Sequence, residues 1–348
     1  MFEKVRNFLE KEIQLKHIPG ATIHIAQHGK VVMQEALGFQ RVFPKEESMR
    51  MSTVFDLASL TKVIATLPLI LKLIEQGELH LDDRVSFFLP QFEGGGKEDI
   101  RIKHLLTHTS GLPAHRRYYE NKLQVAQIME SIYAEELVAP LGKQVIYSDL
   151  GFITLYQIIE KISGVPFEQF VHEELLLPLE MNETGFHLGY EKWRYAATEY
   201  SDELREYKQG IVHDDNTESM GGISGHAGLF STVTDLTNFA EMIEQGGYFR
   251  GKRIVSEQLL DLSKKNYTPF DSEYRGLGWI LKSPYFSSCG DLFSESSFGH
   301  TGFTGTSIWF DPEIDLRVIL LTNRVHFGRK DPIIRLRPRL HNLIRTNL

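Results

Sequence analysis

What most constrains this fold is that strand-like runs stand at both ends of the chain, with helical patterning between them. Residues 21–27 and 31–37 form two such runs around His28-Gly29-Lys30, a β-hairpin signal. A second pair, residues 306–310 and 316–322, surrounds Asp311-Pro312-Glu313, and a closing helix begins near Asp331. Residues 98–180 read as mostly helical, with apolar side chains at i, i+3 and i+4 across 125–137 and 151–163. This order predicts a mixed α/β (α+β) chain. Its antiparallel sheet is built from both termini and flanked by helices, and a mostly helical domain is inserted between. The expected division is 1–80 with 215–348 for the sheet domain and 81–214 for the insertion. A site is expected at the seam, where pockets preferentially form.

Composition narrows what such a chain does. Its 348 residues, 42% hydrophobic and 24% charged, suit a globular protein with a sizeable core that needs neither disulfides nor metals to fold. A formal charge of -8 argues against general affinity for nucleic acid or anionic membrane. Basic residues gather at the C-terminus (Arg335, Arg337, Arg339, Arg345) and read as the solvated face of the last helix. Cys289 is the only cysteine, so no intramolecular disulfide is possible, which fits a reducing compartment. The first residues alternate apolar and charged at helical spacing, with no signal-peptide core, and no apolar run reaches the roughly 18 residues of a membrane span. The expectation is a cytoplasmic monomer acting on a small-molecule or peptide substrate, without cofactor, metal, nucleic-acid or membrane partner.

The chemistry starts at Phe55-Asp56-Leu57-Ala58-Ser59-Leu60-Thr61-Lys62, which leads into an apolar stretch over 63–74. Ser59 falls at or near a helix N-terminus, and Lys62 lies one turn later on the same face. An amine then lies within reach of the hydroxyl, and first-turn N–H groups favour developing negative charge. A lysine serves as base only if its pKa falls towards about 7–8. Alone, Ser-x-x-Lys is equally the pattern of an N-cap serine followed by a surface lysine. Pro68, inside the proposed helix, should kink it or force a local rearrangement.

Two later motifs raise its weight. Tyr147-Ser148-Asp149 precedes the helical run 151–163, and His300-Thr301-Gly302 precedes the strand at 306–310. Ser-x-x-Lys, Tyr-x-Asn and Lys-Thr-Gly, in that order, are the signature of serine β-lactamases and penicillin-binding proteins. The chain resembles the class C β-lactamase branch, with its D,D-peptidases, D-aminopeptidases and esterases. The likeness extends through Leu81-Asp82-Asp83, Leu89-Pro90 and Ile102-Lys103-His104-Leu105-Leu106-Thr107-His108-Thr109-Ser110-Gly111-Leu112. It continues in Gly225-His226-Ala227-Gly228-Leu229-Phe230-Ser231-Thr232 and Gly299-His300-Thr301-Gly302-Phe303-Thr304-Gly305.

The resemblance implies a serine hydrolase that works through an acyl-enzyme on a small ester or amide, with muropeptides and D-amino-acid peptides among the candidates. It implies Ser59 as nucleophile, Lys62 as its activator, Tyr147 as proton shuttle, and backbone N–H groups of Ser59 and Phe303 as the oxyanion hole. Asp149, His300, Thr301 and Gly302 would contact substrate. Tyrosine, with a pKa near 10, needs a nearby cation to act as base, and Lys62 supplies one.

Two positions depart from the family. Asp149 replaces the usual asparagine and could keep Lys62 charged, favouring Tyr147 as base. His300 replaces the usual lysine, which makes any grip on a substrate carboxylate weak and pH-dependent. Both argue for weak β-lactamase or penicillin-binding activity at most. A non-catalytic module of the same fold is one alternative, and a metallohydrolase using His213, Asp214 and His226 is another. His104 and His108 lack the glutamate of a zinc-hydrolase motif and read as structural. The glycine-rich loop from His213-Asp214-Asp215 to His226 reads as lining the site and packing beneath the catalytic strand.

Overall fold

The computed structural model describes residues 2–348. Seven antiparallel strands form one sheet, in the spatial order Ile280–Leu281, Phe298–Thr301, Ser307–Asp311, Leu316–Thr322, Gly20–Gln27, Lys30–Arg41 and Glu47–Ser48. The two termini meet at its centre, where Ala21 pairs with Thr322 and the register runs on to Gln27 opposite Leu316. The first hairpin turns through His28 and Gly29, both at positive φ (51° and 67°). That backbone twist matches the twist of flanking strands.

Strand Leu316–Thr322 is buried throughout and alternates strictly. Leu316, Val318 and Leu320 face one side and join Val5 and Leu9 of helix Glu3–Gln14 and Leu336 and Leu340 of helix Pro332–Arg345. Ile319 and Leu321 face the other side, in a cluster running through Leu236, Val63 and Ile64 to Phe152 and Ile153. Sheet and helical layers therefore share one apolar core. Among the described residues, 81–214 holds no strand of the main sheet; its longest helices are Val125–Ala134 and Asp149–Ser163.

The final helix corrects one expectation. Arg337 is not on a solvated face: it lies four residues from both Ile333 and His341, on the buried stripe, and is 7% exposed. Its Nη2 donates to the carbonyls of Gly302 and Thr306, each at 2.9 Å.

Pro68 has the predicted local effect. Lys62–Thr66 is wound as a π-helical turn, closed by Leu67 N–H to the Lys62 carbonyl, and ordinary α-helix follows over Leu67–Glu75 with Pro68 in its first turn. A proline lacks the N–H, and its ring collides with the carbonyl four residues back. The wider turn relieves that collision beside Ser59.

Candidate active site

The segment carrying Ser59 is bent before it reaches the helix. Ala58 has φ +47°, a region L-residues avoid, and is held there because Asp56 Oδ1 accepts its N–H at 2.8 Å. Asp56 Oδ2 accepts the N–H of His213 at 2.6 Å, so one carboxylate fixes two loops. The turn after strand Phe298–Thr301 is tied to the same segment. Thr304 Oγ1 donates to the Asp56 carbonyl (2.8 Å), and Thr306 Oγ1 to the Leu57 carbonyl (3.0 Å). Gly302 passes so close that a Cβ there would lie 2.1 Å from Thr306 Oγ1 and 2.5 Å from the Leu57 carbonyl oxygen. These ties bring Ser59 and Phe303 to one cavity of about 310 Å³. Neither residue's N–H has a hydrogen-bond partner among the described residues.

Lys62 is wholly buried and spends all three protons. Its Nζ donates to Ser59 Oγ (3.1 Å), Asp149 Oδ1 (2.8 Å) and the His226 carbonyl (3.1 Å). Burial alone would drive the ammonium neutral, but Asp149, followed by Tyr147, outweighs it and holds the pKa above the usual lysine value. Asp149 answers in kind: burial opposes its charge, yet Lys62 and His115 keep it well below the usual carboxylate range. It occupies the first turn of helix Asp149–Ser163, where negative charge is favoured, behind the capping Ser148. Tyr147 lies between cations and rings. Lys62 Nζ is 4.8 Å and Arg275 Cζ 5.3 Å from its ring centroid, and the His108 ring is 4.4 Å away.

The predicted residues are brought together unevenly. Ser59, Tyr147, Asp149 and Phe303 line the cavity, with Lys62 hydrogen-bonded to Ser59 from beneath; the loop residues His213, Asp214, Asp215 and His226 line it too. His300, Thr301 and Gly302 do not. His300 is 1% exposed, its Nδ1 bonded to the Thr301 carbonyl at 2.9 Å, and burial, then Lys62 and Arg275, hold it far below the ordinary histidine pKa. A pH-dependent grip by His300 is therefore corrected: the ring is buried off the cavity lining, and burial opposes its charged form.

Thr301 faces a second cavity of about 280 Å³ with Arg275, which sequence reasoning passed over, and Arg337, which it placed on a solvated face. Both are at least nine-tenths buried, and Arg275 Nε and Nη1 and Arg337 Nε have no partner among the described residues.

His115 was also missed; its Nδ1 is 3.6 Å from Asp149 Oδ2, and that carboxylate raises its pKa. Asp149, Asp214 and His226 present ligand-type atoms within 4.8 Å of one another. These atoms are already engaged, Asp149 by Lys62 and Asp214 Oδ1 by His226 Nε2 at 3.0 Å, so a cation would have to displace the lysine. His213, named with them in the metal alternative, turns instead to Glu199 at 3.0 Å.

A cavity between a sheet edge and a helical layer, holding a serine, a buried lysine and two free N–H groups, is the architecture of the penicillin-recognising fold. The chain belongs to the Beta-lactamase family, whose sequence profile matches residues 5–342. It is 30% identical to the N-acetylmuramyl-L-alanine amidase of Bacillus subtilis (strain 168), with 94% of this chain and 82% of the relative covered. It is likewise 30% identical to a putative D-alanyl-D-alanine carboxypeptidase of Escherichia coli (strain K12), covering 90% and 80%. The fold also matches EstCE1, a hydrolase with promiscuous acyltransferase activity, at a TM-score of 0.77 and 22% identity over 99% and 98% of the chains. The protein is a hydrolase of this family. Among the described residues no helix is long and apolar enough to cross a membrane.

Proposed function

We propose that this protein is a serine amidase that cleaves a cell-wall-type peptide or muropeptide amide through an acyl-enzyme on Ser59. The observation that carries this reading is Lys62, buried and ion-paired to Asp149, with its amine on Ser59 Oγ. A lysine held charged is a poor base, so the proton from Ser59 Oγ goes to Tyr147, against whose ring Lys62 and Arg275 stand. Oγ attacks the carbonyl carbon, and the oxyanion is received by the N–H groups of Ser59 and Phe303, each worth roughly 3–4 kcal/mol of barrier. Tyr147 returns the proton to the departing amine, and water then attacks the ester in the reverse sense.

The names of the two 30%-identical relatives both denote amide bonds in cell-wall peptides. Arg275 and Arg337, buried with unpaired N–H groups beside Thr301, supply the carboxylate contact that neutral His300 lacks. The intact Ser59–Lys62–Asp149 chain disfavours a non-catalytic module, and the engaged Asp149 and Asp214 disfavour a metallohydrolase.

The test is labelling with a fluorophosphonate probe, read by intact mass alongside p-nitrophenyl ester turnover. Wild type is expected to gain one adduct and Ser59→Ala none, with turnover lost. Turnover surviving in Ser59→Ala sinks the mechanism.

A further inference from the structure

The cavity of about 280 Å³ beside Thr301 shares no lining residue with the Ser59 cavity, and Arg275 links the two. Arg275 lines the first, while its Cζ stands 5.3 Å from the ring centroid of Tyr147, which lines the second. Tyr147 returns the proton to the departing amine, so the residue that carries this amine lies on the Arg275 side. If that residue ends in a free carboxylate, its carboxyl carbon is only two bonds from the nitrogen.

The polar capacity of the cavity is concentrated on its two arginines. Arg275 gives Nη2 to Glu273 at 2.7 Å, a largely exposed carboxylate, and leaves Nε and Nη1 without a partner among the described residues. Arg337 spends Nη2 on two carbonyls and leaves Nε unpaired. Burial, then Arg324, draws the Arg337 pKa down to about 9, as expected of a cation short of counter-charge. A carboxylate there would meet free donors on two buried guanidiniums. The lining hydroxyls of Ser283 and Ser287 are already engaged. Ser283 Oγ accepts the Tyr274 N–H and donates to the Leu281 carbonyl, and Ser287 Oγ is 3.0 Å from Cys289 Sγ.

The remaining wall is apolar, made by Tyr274, Ile280, Phe286 and Ile334. Phe286 is 65% and Ile334 50% exposed, so both offer apolar surface that no part of the chain covers. An alanine leaving group would bring a carboxylate and one methyl into this space. At roughly 30 Å³ for each water-sized heavy atom, these fill less than half of the cavity. Water in the other half would find few hydrogen-bond partners. A branched or aromatic side chain fills that space and takes the Phe286 and Ile334 surfaces out of water.

We propose that the arginine cavity receives a leaving-group residue with a large apolar side chain and a free carboxylate, so that leucine- or phenylalanine-type residues are preferred over alanine. The inference rests on the Ser59 reading, and the experiment separates the two. Ser59→Ala protein is titrated with N-acetyl-D-alanyl peptides ending in alanine, leucine or phenylalanine, each in both configurations at the last residue. The leucine peptides are also titrated as C-terminal amides. In the tighter-binding configuration, leucine and phenylalanine should bind roughly tenfold or more tighter than alanine, and amidation should remove a similar factor. Phe286→Ala and Ile334→Ala, each added to Ser59→Ala, should lower the leucine-to-alanine affinity ratio at least threefold. Both side chains are exposed, so folding should survive; the unfolding midpoint checks it, and Ile334→Ala carries the test if Phe286→Ala does not fold. Four results overturn the assignment: no saturable binding of the leucine and phenylalanine peptides, alanine binding as tightly as leucine, amide binding as tightly as acid, or an unchanged ratio in both variants. Fluorophosphonate labelling of wild type is read in parallel. Labelling without the apolar preference overturns the cavity assignment and leaves the serine mechanism standing; the preference without labelling does the reverse.

Discussion

Replacing Asp149 by asparagine removes one charge and keeps the side chain's shape. In the native protein Lys62 is fully buried and Asp149 Oδ1 is 2.8 Å from its amine, with Asp149 itself 17% exposed. Breaking a buried pair by removing one partner costs about 3–5 kcal/mol when the other stays charged. Partial exposure of Asp149 puts the expectation at the lower end, about 3 kcal/mol at pH 7. The alternative outlet is loss of the lysine proton, since without Asp149 the burial that lowers its pKa is opposed mainly by Tyr147.

The sign follows from both partners. Asp149, held low in the fold, contributes stability above its unfolded value of about 3.9, and this is lost as pH falls through the folded pKa. Lys62, held high, contributes below its unfolded value of about 10.4, and this is lost as pH rises through the folded pKa. The wild-type advantage should therefore be flat from about pH 5 to 9 and shrink outside that window. Urea unfolding of wild type and Asp149→Asn across pH 3–10 measures it, and the pH profile of ester kcat/KM shows whether Lys62 has become a titrating base. Equal stability at pH 7 with an unchanged rate profile would refute the view that Asp149 holds Lys62 charged.

Gly302→Ala should lower kcat by about 10²–10³, the range for a lost oxyanion donor, because a Cβ 2.1 Å from Thr306 Oγ1 must displace the turn carrying the Phe303 N–H. Single-turnover acylation with a chromogenic ester checks it, and a loss below threefold counts against the geometry. Burial pushes His24, His326 and His341 down to about 4 and holds His108 and His300 well below the ordinary histidine value, so folding opposes the charged form of each. Their contribution is complete above about pH 6.5 and falls at lower pH, by up to about 1.4 kcal/mol per pH unit each. Urea titrations at pH 7.5, 6 and 5 should show this loss, and His300→Gln should flatten the slope by about one proton. Arg275→Met should raise KM for amides whose leaving group bears a carboxylate at least tenfold more than for a neutral ester; equal effects would dissociate Arg275 from carboxylate recognition. Burial pushes the Cys289 thiol up to about 11, so a disulfide reagent at pH 8 should modify it only in denaturant.

Four of the seven strands were legible in the chain because apolar runs and turn residues are local signals, and strands 307–311 and 316–322 fall within one residue of expectation at each end; the short strands 47–48, 280–281 and 298–301 were not expected. Ser59, Lys62 and Tyr147 were singled out through three motifs arriving in order, not through any one of them, and the fold places Lys62 against both of the others. Arg337 was misread because four arginines in one helix look like a polar face, and only the packing shows which of them turns inward. Arg275, with its unpaired Nε and Nη1, was out of reach for a related reason. An unpaired group is defined by what fails to surround it, and that is a property of the assembled fold.

The π-helical turn at Lys62–Thr66 has a consequence for how this enzyme can change. One extra residue per turn rotates everything downstream by about 100° relative to a continuous α-helix. The leucines at 67, 69, 71 and 73 are therefore seated in the core at an angle set independently of the Ser59–Lys62 face. The wide turn works as a phase coupling between two halves of one helix, one answering to packing and the other to chemistry. Pro68→Ala would let it relax to α geometry, after which either the leucines leave the core or the Lys62 amine swings off Ser59.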